Sequence, residues 1–390
     1  KIFLFTLRCL SACFIWRVKQ NLEYEGSNFL RQRLILSTLS GKPVKIKKIR
    51  SSDENPGLHE FEANLLSLLD RLTNGTKIDI SVTGTTLLYR PGILIGGTLD
   101  HDCNLERSIG YYLEVIICLA PFCKQAVSCT LTGITNDHAD PTVDFLKGTN
   151  LPLMKLFGVG DDLELKINKR GASPGGGGEI YFHCPRVNKL RTLNFTEPGK
   201  VKNIRGVAYA TRVSPQMPNR LVTSARGVLN GFIPDIYINT DHLKGAQSGK
   251  SPGFGIYLEA RSTKDVILSA ECNSLPKSEN ASVDPEELGK RAACALLEEI
   301  HSGGCVGSSS QYLAALFMAL GEQDVGKVLF GPLTPYTIEF LRHIRDFLQV
   351  TFKLEAKTYS GDQMGQNIGS SKVLLTCVGV GFSNMSKTIR

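Results

Sequence analysis

The feature that most constrains this chain is an order of elements that occurs three times: a helix-like segment, a strand, a helix introduced by proline, and a second strand. In the first copy, residues 28–39 read as helix and 44–49 as strand. Pro56 then opens a helix carrying Leu58, Phe61, Leu65, Leu69 and Leu72 on one face. Asn74-Gly75 stops it before a strand at 77–82. The second copy has helix at 111–119, strand at 126–132, a helix from Pro141 to Gly158, and strand at 163–167. The third has helix at 311–320, strand at 325–330, a helix from Pro335 to Leu348, and strand at 350–354. Proline suits a helix's first turn, where its missing N–H has no partner. Glycine suits the stop, because it adopts the left-handed conformation freely. The repetition predicts an α/β fold with one body of three similar units, each a small sheet plus two helices.

The chain between the second and third copies is too long to be a linker. Residues 195–285 contain a strand at 201–212, a helix-like run at 217–232 and a strand at 235–240. They read as a smaller α/β domain inserted before the third unit. Pro285 next begins an amphipathic helix with Leu288, Ala292, Leu296 and Ile300, closed by Gly303-Gly304. The expected division is an atypical extension at 1–22, a three-repeat domain at 23–194 and 286–390, and the insert at 195–285. Residues 1–18 are apolar but interrupted by Arg8, too short and broken for a membrane span and only faintly like a signal peptide. A polar loop at 361–371 precedes a last strand at 372–380.

The net charge of +8, from 45 basic and 37 acidic residues, favours polyanionic partners moderately. Lys42, Lys45, Lys47, Lys48 and Arg50 cluster on one strand. That strand fits a phosphate-binding face, or an edge kept soluble by lysines. Eleven scattered cysteines without a C-x-x-C pair read as buried free thiols of a reducing compartment. Seven dispersed histidines give no metal cluster. Asn136, Asp137, Asp140 and Asp144 sit at a helix start, where capping is favoured over a Mg²⁺ site. Gly249-Lys250-Ser251 lacks the earlier P-loop glycine, because Lys244 occupies its place, and Pro252 follows. The four glycines at 175–178 fit a turn between strands or a backbone cradle for phosphate, without a following helix to help an anion. The residues alone show no catalytic constellation.

Several motifs nevertheless form a recognisable set: Tyr24-Glu25-Gly26-Ser27-Asn28-Phe29-Leu30-Arg31, Arg50 followed by Asn55-Pro56-Gly57-Leu58, Pro174 with the glycine run, Gly303-Gly304-Cys305-Val306, and GPLTPYTIEFL at 331–341. In order and spacing, from about Glu23 to Arg390, they resemble the RNA 3′-terminal phosphate cyclase family. SGKSPGFG at 248–255, Ser214-Pro215-Gln216 and Gly381-Phe382-Ser383-Asn384 resemble its eukaryotic cyclase-like branch, whose members are nucleolar ribosome-assembly factors. The resemblance implies three α/β units and a smaller inserted domain. It also implies a lost chemistry. Cyclases adenylate a histidine and pass AMP to an RNA 3′-phosphate, and that histidine's position falls on Tyr336. A phenol, with a pKa near 10, is little ionised at neutral pH. The family's nucleotide-proximal Asp-Gln pair falls on Tyr312 and Leu313. Its N-terminal Glu-Gly-Gly-Gly-Gln stretch becomes residues 24–28. Arg50 remains, but a second arginine becomes Asp53.

The expectation is therefore a non-catalytic factor of the nucleolar small-subunit processome, without cofactor or metal. It would support early pre-18S rRNA processing and 40S assembly through a nucleolar GTPase, in contact with pre-rRNA and a snoRNA-containing particle. Arg31, Arg50, Lys45, Lys47, Gly176 and Gly177 are the candidates for binding an anion or RNA. Lys244, Lys250 and Phe254 are the candidates for partner contact. Two alternatives stand. One is an endoribonuclease using Arg345 and Asp346, or Asp324 with Lys327; the other is a residual cyclase with a different nucleophile.

Overall fold

The computed structural model describes residues 21–275, 284–357 and 371–384. Nearly all of the extension expected at 1–22, and most of the polar loop at 361–371, lie outside them. Each repeat builds a four-stranded sheet with one topology. In the first, strands Leu22–Glu25, Val44–Lys47, Leu87–Arg90 and Lys77–Ile80 lie side by side in that order. The first pair is parallel and the other two are antiparallel. The second sheet repeats this with Gly97–Asp102, Val127–Gly133, Gly178–Cys184 and Glu164–Lys169, and the third with Asn194–Phe195, Val325–Phe330, Lys372–Val378 and Lys353–Lys357.

The first helix of each repeat explains how three sheets share one core. Ile109–Leu119 and Gln311–Leu320 are almost wholly apolar, and every residue of both is buried. Leu30–Ser40 is buried over nine of its residues. A helix apolar on all sides must be covered on all sides. The three therefore join one continuous cluster that also takes in the inner faces of the three sheets. The second helices, Glu60–Leu72 and Pro335–Leu348, are amphipathic and keep an exposed face. Their counterpart in the second repeat is divided: Val143–Phe145 leads through a π-turn at Leu146–Asn150 into Leu151–Leu156.

Four boundaries differ from the sequence expectation. Pro56 does not open its helix, which begins at Glu60 and is capped by Glu62 accepting from the His59 amide at 2.9 Å. Pro141 also precedes its helix, which begins at Val143, so of the three prolines that introduce the repeats' second helices Pro335 alone occupies a first turn, behind Thr334, whose hydroxyl accepts from the Thr337 amide. The strand expected at 350–354 lies at Lys353–Lys357, because the preceding helix ends through Gln349 in the left-handed region. The insert does not precede the third unit but interrupts it, since Asn194–Phe195 is already that unit's first strand.

The helix Pro285–Ser302 also packs into the insert rather than the three-repeat body. Its Leu288, Ala292 and Leu296 join Leu221, Leu229, Ile204 and Leu258 in a separate core. With Gln216–Leu229 it covers one face of a sheet ordered Ile236–Leu243, Val201–Thr211, Gly253–Ser262, Ile267–Asn273, whose last two strands the sequence reading missed.

The other face of the insert sheet docks on the second unit through polar groups. Arg170 is buried and donates to both carboxylate oxygens of Asp144, at 2.6 and 2.8 Å, and to Asp241 of the insert at 2.7 Å. The Tyr257 and Thr149 hydroxyls lie 3.0 Å apart. A Cβ on Gly148 would stand 2.3 Å from the Tyr257 hydroxyl, so the π-turn can approach only with glycine there. Glu271 of the insert accepts from the backbone and hydroxyl of Thr142. Nine described cysteines are free thiols, seven of them buried, and no described helix is long and apolar enough to cross a membrane.

Two outcomes follow from this docking. Arg170→Ala strands Asp144 as a buried, unpaired charge, so the urea midpoint should fall by the equivalent of about 3–5 kcal/mol. Burial raises the Glu271 carboxyl to about 7 from its ordinary 4.5. An unfolded chain loses that proton near its ordinary value while the fold retains it. Stability should therefore decline as pH rises from about 4.5 to 7 and then level off. Subtracting the Glu271→Gln profile from the wild-type urea profile isolates this step, which should vanish in the variant.

Candidate functional site

Glu114 is the one carboxylate in the helix Ile109–Leu119, and it lies at the centre of the body. A carboxylate removed from water needs charged and hydrogen-bonding partners. Arg31 of the first unit pairs with one of its oxygens. Tyr336 of the third unit donates its hydroxyl to the other at 2.9 Å. One residue from each repeat thus closes a single junction.

Around it, the side chains of the first and third units interlock. Gln32 donates to the backbone oxygen of Tyr336 at 2.9 Å and presents its own oxygen to His343 Nδ1 at 2.9 Å. Arg33 reaches the other ring nitrogen at 3.5 Å, so Nδ1 carries the hydrogen. Burial first, and Arg33 second, push the His343 pKa down to about 4, and the ring is neutral at physiological pH.

The departures noted in the sequence meet here as one aromatic chain. Tyr312 meets Tyr336 edge-on with centroids 5.6 Å apart. Phe29 lies 6.1 Å from Tyr336 and 6.3 Å from His343. Tyr24 lies 5.2 Å from His343 and stacks on Phe347 at 6.0 Å. Phe29 holds a φ of 59°, rare for a bulky residue and sustained here by ring packing. Leu313 is buried in the shared core. Asp53 stands apart, in the turn after Arg50.

Burial, then the Glu114 carboxylate, push ionisation of Tyr336 well above the ordinary phenol value. Its oxygen keeps its proton and has that proton directed at Glu114. It is a neutral donor to that carboxylate.

The candidate anion-binding arginines are already matched. Arg50 forms a two-pronged pair with Glu62 at 2.7 and 2.8 Å and donates to the Gly57 carbonyl at 3.1 Å. Arg107, beside them, holds both oxygens of Asp140. Arg31 and Arg107 stack over Tyr111, at 4.4 and 4.8 Å from the ring centroid. Two guanidiniums thus converge on one ring, each with its own carboxylate. Lys45 and Lys47 lie on an interior strand of the first sheet rather than an edge. Lys47 pairs with Glu23 at 2.6 Å, so the expected basic face has mixed charge.

Gly176 and Gly177 form a turn between strands, with φ of 59° and 81°. The insert's loop closes on it. The Lys250 amide donates to the Gly176 carbonyl at 2.8 Å, and Ser251 accepts from the Gly175 amide at 2.8 Å. The two phosphate-like motifs are therefore packing partners of each other. The side chains of Lys244 and Lys250 remain exposed, while Phe254 is half-buried against the insert core.

Asp140 and Asp144 serve Arg107 and Arg170, and the helix cap is Thr142, so neither capping nor metal binding explains them. No group of His, Cys, Asp or Glu among the described residues is arranged to hold a metal. The nuclease candidates are not gathered into a site. Asp346 accepts from Tyr24 at 3.2 Å, and Asp324 from the Val325 amide at 2.7 Å. Sequence reasoning missed Glu114, Glu62 and Arg107. Of these, Glu114 alone left a signal: one carboxylate inside an otherwise apolar helix.

The sequence profile of the RNA 3′-terminal phosphate cyclase family matches residues 22–354. The chain is similar to a human RNA 3′-terminal phosphate cyclase-like protein, 59% identical over 95% of this chain and 98% of the human one. It is similar to a probable RNA 3′-terminal phosphate cyclase-like protein of Drosophila melanogaster, 52% identical over 94% of this chain and 97% of that one. It is also similar to the rRNA processing protein rcl1 of Schizosaccharomyces pombe, 41% identical over 94% of this chain and 98% of that one.

Tyr336→Phe removes one donor from Glu114 but leaves Arg31 in place, so urea unfolding should register a loss of about 1–2 kcal/mol with the fold retained. Glu114→Ala leaves Arg31 without its carboxylate and should cost more than twice as much.

Proposed function

The chain belongs to the RNA 3′-terminal phosphate cyclase family, and from that membership we propose that it is a non-catalytic member acting in rRNA processing. In finer terms, it serves the small-subunit processome in the nucleolus and supports early pre-18S rRNA processing and 40S assembly with a nucleolar GTPase partner. The bond from the Tyr336 hydroxyl to Glu114 carries this reading. Adenylation needs a lone pair aimed at a nucleotide phosphate and cations free to meet the triphosphate. Here the residue at the expected nucleophile position is a proton donor, and Arg31 and Arg50 are each paired to a buried carboxylate. The name of the fission-yeast relative, an rRNA processing protein, supports the pathway. The exposed Lys244 and Lys250 on the insert loop are the proposed GTPase contacts.

Incubation with ATP and Mg²⁺ should leave the intact mass of the purified protein unchanged, and a covalent AMP adduct would overturn the reading. The protein should co-purify with a processome GTPase from nucleolar extract, and Lys244→Glu with Lys250→Glu should weaken that association.

A further inference from the structure

The three sheets share a topology, so their outer faces can be compared position by position. On the first, Lys45, Lys47, Lys77 and Arg90 share the face with Glu23, Glu25 and Asp79. Lys47 pairs with Glu23 at 2.6 Å and Arg90 with Asp79 at 2.5 Å. On the second, Lys166 and Lys169 are outnumbered by Asp100, Asp102, Glu164 and Glu179. The third breaks the pattern. Its register places Lys327 opposite Thr376 and Thr376 opposite Lys353, while Lys357 stands opposite Lys372. Among the described strand residues of that face, Glu355 is the only carboxylate.

Three of the four lysines of the third face are accessible, and Lys372 is buried. Lys327, Lys353 and Lys357 are exposed, and Glu355, at 2.7 Å from Lys353 and 3.7 Å from Lys357, must serve two of them. From standard sheet spacings, Lys327 and Lys353 are about 10 Å apart and Lys353 and Lys357 about 13 Å. At one end the acidic loop containing Glu322 and Asp324 leads into the sheet. Toward the other, Leu329 and Leu374 pack against Val266 and Leu268 of the insert. There the face passes Lys372 into a cleft of about 350 Å³, bordered by Lys200, Phe232, Gly303 and Gly304. Phe232 is 48% exposed.

We propose that this face is a binding surface for single-stranded RNA, with phosphates on Lys327, Lys353 and Lys357 and a base stacked on Phe232 at the cleft. Lysine is depleted from protein–protein interfaces but common in phosphate contacts, where threonine and asparagine assist it, as Thr376 and Asn194 do by position here. An exposed aromatic beside a basic track is the usual seat for an unpaired base. The assignment rests on the rRNA-processing reading but not on the state of Tyr336.

The test is fluorescence anisotropy of the full chain with a labelled single-stranded RNA, across a salt series. The combined Lys327→Glu, Lys353→Glu and Lys357→Glu variant should bind at least tenfold more weakly at about 100 mM salt. Its log–log salt slope should be shallower by about 2, near 0.7 for each lost contact on a single strand. The Lys45→Glu, Lys47→Glu variant of the first sheet should stay within about twofold of wild type. Phe232→Ala should lower affinity for single-stranded RNA several-fold and leave the slope unchanged. Unfolding midpoints near wild type confirm that each variant is intact. The proposal fails if the triple variant binds like wild type, if the first-sheet variant loses as much, if Phe232→Ala has no effect, or if an acidic peptide binds the face more tightly than RNA. Any of these, with no AMP adduct by mass, overturns the surface and leaves the non-catalytic reading standing.

Discussion

The structure depends on how Glu114 is satisfied. A carboxylate inside a helix that is buried along its whole length destabilises the fold unless charge and hydrogen bonds replace its water. Its partners come from the other two repeats, Arg31 from the first and Tyr336 from the third. The contact is therefore a constraint on how the three repeats meet. Once Tyr336 is fixed there, Gln32 holds its backbone, His343 must be neutral to fit behind Gln32, and Phe29 takes a left-handed backbone to place its ring between them.

The same repeat does different work at its two surfaces. The inner faces of the three sheets feed one core, which leaves little room for them to differ in kind. The outer faces carry less packing demand and have diverged in sign, from balanced to acidic to basic. The insert accentuates this. It docks on the second unit through Arg170, Glu271 and Tyr257 and covers only part of the third sheet. Among the described residues, none covers Lys327, Lys353 and Lys357.

Much of the architecture was legible because it is written in local periodicity. The buried helices at 109–119 and 311–320 and the proline-opened helix at 335–348 all carry it. What escaped was short or depended on distant partners. Leu22–Glu25 and Asn194–Phe195 are four and two residues long, too brief to show a period, yet they define where each unit begins. The apolar stripe of Pro285–Ser302 was plain, but a stripe does not say which core it enters. Arg31 was visible as a cation, but its carboxylate lies 83 residues away. The strand containing Lys45 and Lys47 looked basic because the acids beside it come from a different strand.

These points bear on what the tyrosine means. A nucleotide site must hold cations in reserve, so that a triphosphate is their best partner, and it must leave a nucleophile with a free lone pair. Here Glu114, Glu62 and Asp140 satisfy Arg31, Arg50 and Arg107, and the aromatic chain from Tyr312 to Phe347 occupies the adjoining space. The Tyr336 hydroxyl completes the shell of the same carboxylate that neutralises Arg31, so the phenol and the cation share one structural state. Replacing Tyr336 with histidine would supply a lone pair without freeing any of these cations. A centre closed in charge has no electrostatic need for a ligand. Whatever this scaffold recognises must then be drawn to surfaces whose charge is still open, and in the three-repeat body the outer face of the third sheet is such a surface.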